Sequence, residues 1–242
     1  MYTKNSGRVL IFAYGKDKDN LTFLGFVNIK DELRDEAKEG IKLIKSAGIK
    51  PIMITGDAID TATSIAREVG LIDINNNMVL DSNMLAQMND DEIKRNLSKI
   101  AVIARALPQD KSRMVNIIES MDLVVGMTGD GVNDAPALKK ANVGFAMGSG
   151  TEVAKEAADI VILDNNILSI SKAILYGRTI FKSIRKFIIY QLTVNMCALV
   201  LSIVGSFIGV TTPITIVQML WLNMIMDTFA GVAFSFEAPL RE

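Results

Sequence analysis

From Phe187 to Phe236 the chain carries one charged residue of the Asp, Glu, Lys or Arg kind, Asp227. Nearly all the other charge lies at or before Lys186, so the net charge of −1 hides a sharp partition. Phe187–Val210 and Ile214–Phe236 are each long enough to cross a bilayer, which takes about 20 apolar residues. Thr211-Thr-Pro213 between them reads as a turn. A buried helical pair in a soluble protein is the competing reading, but two long, almost uncharged stretches favour a transmembrane α-helical hairpin. Arg178, Lys182, Arg185 and Lys186 crowd the near end of the first span, and the far turn is uncharged. The positive-inside rule then expects the preceding globular part and both chain ends in the cytoplasm, in a multi-pass membrane protein.

The globular part alternates. Arg8–Tyr14 and Leu21–Val27 read as strands joined by the polar Gly15–Asn20 stretch, a β-hairpin within residues 1–29. Asp31-Glu-Leu-Arg34 precedes a helical pattern that runs through Ala47. Strands are then expected at Ile52–Ile54, Ala101–Ala104, Leu123–Met127, Val143–Met147 and Ile160–Leu163. Helices are expected at Ile59–Val69, Asp110–Met121, Ala135–Ala141 and Thr151–Ala158. The polar region from Asn75 to Ser98 has no clear period. Such alternation predicts an α/β domain over 30–166, a Rossmann-like doubly wound parallel sheet with its chemistry at the carboxyl ends of the strands. Leu168–Lys186 is an amphipathic helical pattern that enters the first span without a proline. It predicts a stalk helix over 167–186, then spans over 187–210 and 214–236.

Composition excludes several chemistries. The chain has no histidine, which removes the commonest general base and metal ligand and with them zinc sites and Ser-His triads. Its one cysteine, Cys197, permits no internal disulfide. The first residues carry no apolar run, so no signal peptide is evident.

The run Met127-Thr-Gly-Asp130-Gly131-Val-Asn133-Asp134-Ala-Pro136 follows an apolar strand and turns through glycine into a helix start. Asn, Asp and Pro are favoured there. Asp130 and Asp134 are thereby held beside a helix N-terminus, which suits a hard cation such as Mg²⁺ next to a phosphoryl group. Thr55-Gly56-Asp57 ends one strand, and Lys111 begins the helix after another. Taken singly, Thr55 is a turn residue and Lys111 a solvated helix residue. In this order, a hydroxyl, an ammonium, an amide and two carboxylates can converge above a sheet, as phosphoryl transfer requires.

Ile54-Thr-Gly-Asp57, Ala104-Arg-Ala-Leu-Pro-Gln-Asp-Lys-Ser112, Met127–Lys140 and Gly144-Phe-Ala-Met-Gly-Ser-Gly150 together resemble the phosphorylation domain of P-type cation-transporting ATPases. Their catalytic domain belongs to the haloacid-dehalogenase-like superfamily. The resemblance covers most of the chain. It implies that Thr55 and Asn133 contact the transferred phosphoryl group and that Lys111 neutralises its developing charge. It implies Asp130 as a Mg²⁺ ligand, with Asp134 supporting the ion and its waters. Gly56, Asp57 and Arg105 would lie near the nucleotide or phosphate, and ATP would be the substrate. Asp31 and Arg34 fall in a family motif that usually has Pro after the Asp, where this chain has Glu32.

Within the spans, Asn195 lies in the first, and Asn223 and Asp227 stack at i, i+4 in the second. Polar groups at such depth are functional candidates, although the two Asn could simply hydrogen-bond between helices. Their oxygens would form part of a hard-cation site, since Ca²⁺ takes about 6–8 oxygens. Gln191-Leu-Thr-Val-Asn195 and Leu220–Ala230 resemble calcium pumps of the plasma-membrane type, which implies Ca²⁺ as the transported ion and the cell membrane as the location. Ala198 stands where sarcoplasmic-reticulum pumps carry a Glu, implying one calcium site, completed from another helix. Cys197 alone does not support a soft-metal cargo.

The Asp-Lys-Thr-Gly-Thr segment that carries the family's phosphorylated Asp does not occur in the chain. The nucleotide-binding insertion, the actuator domain and the earlier membrane helices are also missing. The expectation is the carboxyl-side portion of a pump, inactive alone. Its partners would be those missing segments and membrane lipid, with no nucleic acid, and the helix from Leu168 would be the mechanical link. The alternative is a non-catalytic membrane fragment that binds Mg²⁺ or phosphate and regulates or assembles with an intact pump. A dinucleotide site at Gly148-Ser-Gly150 lacks its third Gly.

Overall fold

Ile100–Ala104 form a strand buried at every position, the mark of a strand paired on both edges and covered on both faces. This computed structural model describes residues 8–15, 17, 20–29, 33–72, 77–210 and 213–238. It divides into two compact units, Met1–Ser171 and Lys172–Glu242.

The first unit opens with an antiparallel hairpin, β1 (Arg8–Tyr14) and β2 (Thr22–Ile29), with a bulge between Phe12 and Ala13. Then follow α1 (Asp35–Ser46), β3 (Met53–Ile54), α2 (Ile59–Glu68), β4 (Met78–Asp81), α3 (Ser82–Gln87), α4 (Asp90–Asn96) and the buried β5 (Ile100–Ala104). The order is completed by α5 (Pro108–Glu119), β6 (Gly126–Gly129), α6 (Ala135–Lys140), β7 (Val143–Met147), α7 (Glu152–Ala157) and β8 (Ile160–Ile162).

The expected parallel α/β layering is present, and its strands fall into two three-stranded sheets. One has the order β3-β5-β4 and the other β6-β7-β8. Two cores flank β5. Val102 and Ala104 pack with Ile41 of α1 and with Ala62 and Ala66 of α2. Ile100 and Ile103 pack with Leu85, Ile93, Met114 and Ile117 of α3, α4 and α5. The two α2 alanines, four residues apart, are fully buried, so the small side chains let that helix lie close to the sheet. Helix α5 starts with Pro108 at its first turn, and Asp110 accepts the Leu107 N–H at 2.8 Å. Asp110 also accepts the Ser82 hydroxyl at 2.7 Å.

One expectation needs correction, and one region left unassigned is now defined. The strand expected at Leu123–Met127 lies further on, at Gly126–Gly129. Asp122 takes a left-handed φ of +56°, which turns the chain and leaves Leu123 and Val124 exposed. From residue 77 to 98 the chain forms β4, α3 and α4, set by local caps: Asp81 accepts the Met84 N–H, and Asn89 forms a reciprocal capping box with Glu92. Asp31, Glu32, Thr211 and Thr212 lie outside the described residues.

The expected stalk and first span form one unbroken helix, α8 (Ile167–Ile208, 42 residues), ended by Gly209 at φ +86°. Helix α9 (Ile216–Ser235) starts at a Thr215–Gln218 capping box. Both are long and apolar enough to cross a membrane. In α9 no residue is buried, and Phe207 near the end of α8 is 88% exposed.

Candidate phosphoryl and cation sites

At the carboxyl end of β6 the chain passes Asp130 and Gly131, makes a 3-10 turn at Val132–Asp134 and enters α6, with Pro136 in its first turn. Asp134 is 5% exposed, and both of its oxygens are engaged. Oδ1 accepts Lys111 Nζ at 2.5 Å. Oδ2 accepts the backbone N–H groups of Asp130 at 3.3 Å and Gly131 at 3.2 Å. The loop therefore folds around its own acid, and Lys111 from the start of α5 balances the buried charge. This packing needs glycine at 129: a Cβ there would fall 2.4 Å from Asp134 Cβ. Asp130 and Asn133 are exposed on the rim.

A second cluster sits where β3 and β5 end side by side. Thr55 Oγ1 donates to Asp57 Oδ2 at 2.9 Å and accepts the Asp57 N–H at 3.2 Å. Arg105 N–H donates to Asp57 O and Ala106 N–H to Thr55 O, each at 2.9 Å. Arg105 holds a left-handed φ of +48°. Non-glycine residues in that region cluster at functional sites because the surroundings must hold them there. Gly56 is exposed, and a Cβ there would meet nothing within 4 Å. The structure thus joins Lys111 to Asp134, and Thr55 to Asp57 and the Arg105 backbone. The described hydrogen bonds do not link the two clusters to each other.

No group of three or more His, Cys, Asp or Glu gathers among the described residues. One exposed carboxylate, Asp130, on a braced loop fits Mg²⁺, which keeps several waters and binds through one or two carboxylates plus phosphate oxygens.

In the second unit the half-buried residues of each helix form a stripe. On α8 it runs through Gln191, Val194, Asn195 and Ala198, and on α9 through Asn223, Met226, Asp227 and Ala230. The two helices meet through Phe234, whose ring centroid lies 6.5 Å from Phe187 and 6.3 Å from Tyr190, and through a Lys186–Glu237 ion pair. Asn195, Asn223 and Asp227 all lie on these stripes, while Cys197 is exposed. Asp227 Oδ1 is shielded from solvent and has no hydrogen-bond partner among the described residues. An unanswered buried carboxylate oxygen is costly.

A haloacid dehalogenase-like hydrolase model matches residues 6–142. The chain belongs to the haloacid dehalogenase-like hydrolase family. A second family model of the same description matches residues 125–174. This haloacid dehalogenase-like chain is 42% identical over 231 residues to calcium-transporting ATPase 12, plasma membrane-type, of Arabidopsis thaliana, a match that covers 93% of the chain and 22% of that protein. It is 43% identical over 249 residues to calcium-transporting ATPase 7, plasma membrane-type, of Oryza sativa subsp. japonica, covering 96% of the chain and 24% of that protein. The chain thus spans less than a quarter of the length of these curated relatives. The crystal structure of a zinc-transporting PIB-type ATPase in the E2.Pi state matches it with a TM-score of 0.64 and 28% identity, covering 95% of this chain and 35% of that one.

Sequence reasoning treated Asp134 as a metal helper. It did not see that this haloacid dehalogenase-like loop is closed by the Asp134 oxygens. The close spacing of Gly129, Gly131 and Asp134 was the available signal. Arg34 is placed in a structural contact: its Nη1 donates to Asn165 O at 3.1 Å and lies 3.4 Å from Asp164 O.

Proposed function

We propose that this chain is the carboxyl-side part of a P-type calcium-transporting ATPase of a cell membrane. Residues 1–29 lead into a cytoplasmic phosphorylation domain over 30–166. A stalk follows at 167–186, with spans at 187–210 and 214–236. The whole pump would use ATP and Mg²⁺ to form and hydrolyse an aspartyl phosphate and would couple that cycle to Ca²⁺ movement.

One observation carries the reading: the Asp134 carboxylate braces the Asp130 loop through two backbone N–H groups while it pairs with Lys111. This ties the Asp130 backbone and Lys111 Nζ to one and the same carboxylate. Charge stabilisation held ready in this way is the main device of phosphoryl transfer. Lys111 Nζ has three N–H donors and directs one at Asp134 Oδ1, so others remain for phosphoryl oxygens. Thr55 Oγ1, turned by Asp57, and the exposed Asn133 amide would bind the remaining oxygens. Asp57, Gly56 and Arg105 would border the nucleotide. Mg²⁺ at Asp130, with Asp134 behind it, would neutralise charge on the transferred group.

The nucleophile must come from outside this sequence, because Asp-Lys-Thr-Gly-Thr is absent from it. A covalent route cannot run without it. Among the described residues β3 pairs with β5 alone and β6 with β7 alone. Each of these site-bearing strands therefore keeps an edge on which another segment of the same pump can pair. Asn195, Asn223 and Asp227 would supply part of the Ca²⁺ shell.

Co-expression with the amino-side segments of a plasma-membrane-type calcium pump tests the reading. The expected result is a calcium-dependent phosphoenzyme that neither part forms alone and that Asp130→Asn or Lys111→Met removes. A purified complex that binds Mg²⁺ or phosphate and never forms phosphoenzyme would favour a regulatory, non-catalytic fragment instead.

A further inference from the structure

Asn165 occupies the turn between β8 and α8 with a left-handed φ of +51°. Asn tolerates that region better than most residues, yet it is still an uncommon backbone. The backbone N–H, the backbone carbonyl and the side-chain oxygen of Asn165 are all engaged. Asn165 Oδ1 accepts the Ser149 N–H at 3.0 Å. Its N–H donates to Ile162 O at 3.2 Å, an oxygen that also accepts the Gly148 N–H at 2.8 Å. Its carbonyl accepts Arg34 Nη1 at 3.1 Å.

On one side the turn leads into the first turn of α8. Asp164 Oδ2 accepts the Ser169 hydroxyl at 2.6 Å, and Asn166 Oδ1 accepts the Leu168 N–H at 2.9 Å. On the other side it leads to the Asp130 loop. Ser149 is followed by Gly150 and Thr151, and Thr151 N–H donates to Asp130 O at 2.8 Å. A Cβ on Gly150 would fall 2.9 Å from that same carbonyl oxygen. The 148–151 loop therefore lies against the Asp130 backbone with no slack.

We propose that Asn165 is a positioning residue that couples the Asp130 loop to the first turn of α8, Ile167–Ser171, through the 148–151 loop. The proposal rests on the reading of Asp130 as a Mg²⁺ ligand. Were a cation at Asp130 to shift that residue's backbone, the Thr151 N–H would follow its acceptor. Gly150 has no room to absorb the shift, so Ser149 moves against the Asn165 amide. Arg34 holds the Asn165 carbonyl, and Ile167 packs on the core built from Ile41 and Ala62. The displacement is thereby directed into the hydrogen bonds that start α8. A single left-handed residue is a natural pivot, since small changes there swing the chain on either side.

The test uses the full chain in lipid nanodiscs, with Mg²⁺ as the probe. Calorimetry reads Mg²⁺ binding, and amide hydrogen exchange reads residues 167–171. Asn165→Gly keeps the left-handed backbone and deletes the acceptor. Asn165→Asp keeps an acceptor oxygen. In the unaltered chain and in Asn165→Asp, Mg²⁺ is expected to change exchange at 167–171 by about five-fold or more, the lower end of measured site-to-site couplings. In Asn165→Gly that response disappears, with Mg²⁺ affinity within about two-fold of the unaltered chain. The same response in Asn165→Gly overturns the proposal. So does Mg²⁺ binding to the unaltered chain without any change at 167–171. Mg²⁺ affinity unaffected by Asp130→Asn is a separate result: it overturns the reading of Asp130 and, with it, the coupling.

Discussion

Leu85 and Leu220 are the same side chain under opposite rules. Leu85 in the first unit is 0% exposed, and Leu220 on α9 is 64% exposed among equally bare apolar neighbours. The first unit buries its apolar groups against one another, as burial from water demands. The second turns them outward, which is stable where the surrounding medium is itself apolar. The acids reverse in step. Asp134 is buried with three partners, and Asp227 keeps a shielded oxygen with none among the described residues. The difference teaches that each unit is built for its own solvent and that its polar exceptions have different purposes. One acid holds a loop in shape, and the other is the cation ligand proposed above.

The largest expected effect tests that last contrast. In a reconstituted pump, Asp227→Asn should weaken equilibrium Ca²⁺ binding on the order of 100-fold, since it removes one partner of a desolvated charge pair. It should leave urea unfolding of the first unit unchanged. A variant that binds Ca²⁺ normally would break the comparison. Asp134→Ala should do the reverse. It strands the Lys111 ammonium and two backbone N–H groups, and stability should fall by about 3 kcal/mol in urea denaturation followed by circular dichroism. Leu85→Ala should cost about 3 kcal/mol through the cavity it leaves. The same change at Leu220 should stay within about 0.5 kcal/mol, as at other positions outside a core. Equal losses at the two leucines would mean that α9 is packed against protein.

The smallest effect concerns Lys50, which donates to Leu97 O at 2.6 Å. Burial lowers its pKa below the ordinary lysine value of 10.5. The charged form is thus penalised in the folded state, and the penalty is fully present below the folded pKa. It is relieved as pH rises from the folded pKa toward 10.5, where the unfolded chain still binds more protons. The stability of Lys50→Met relative to the unaltered chain should therefore decline over that window. A difference independent of pH would assign the whole effect to the lost hydrogen bond.

Much of this was legible in the residues themselves. Ala101–Ala104 was legible as a strand because an apolar run bounded by polar residues suits a buried one, and the structure adds Ile100 and buries all five positions. Val143–Met147 was read to the residue. The strand before Asp130 was read three residues early, because Leu123 and Val124 look as apolar as any strand, and the turn at Asp122 depends on a backbone angle that no pattern encodes. The segment from Asn75 to Ser98 was opaque for a different reason. Its helices are six and seven residues long, too short for periodicity to emerge, and only their caps at Asp81 and Asn89 mark them. At the candidate site, Lys111 and Asp134 were legible as residue types. Their pairing was not.

The sequence by itself determined where each solvent begins. Burial in water and transfer to lipid are properties of side chains in short windows, so a charge-free stretch with one Asp is informative without any fold. The tertiary structure alone decided which atoms face one another at the strand ends. It turned the Asp134 oxygens onto Lys111, 23 positions away, and onto the loop's own N–H groups. It also brought Arg34 against Asn165, 131 positions away. Such meetings depend on strand order and loop closure, and neither leaves a local trace in the chain.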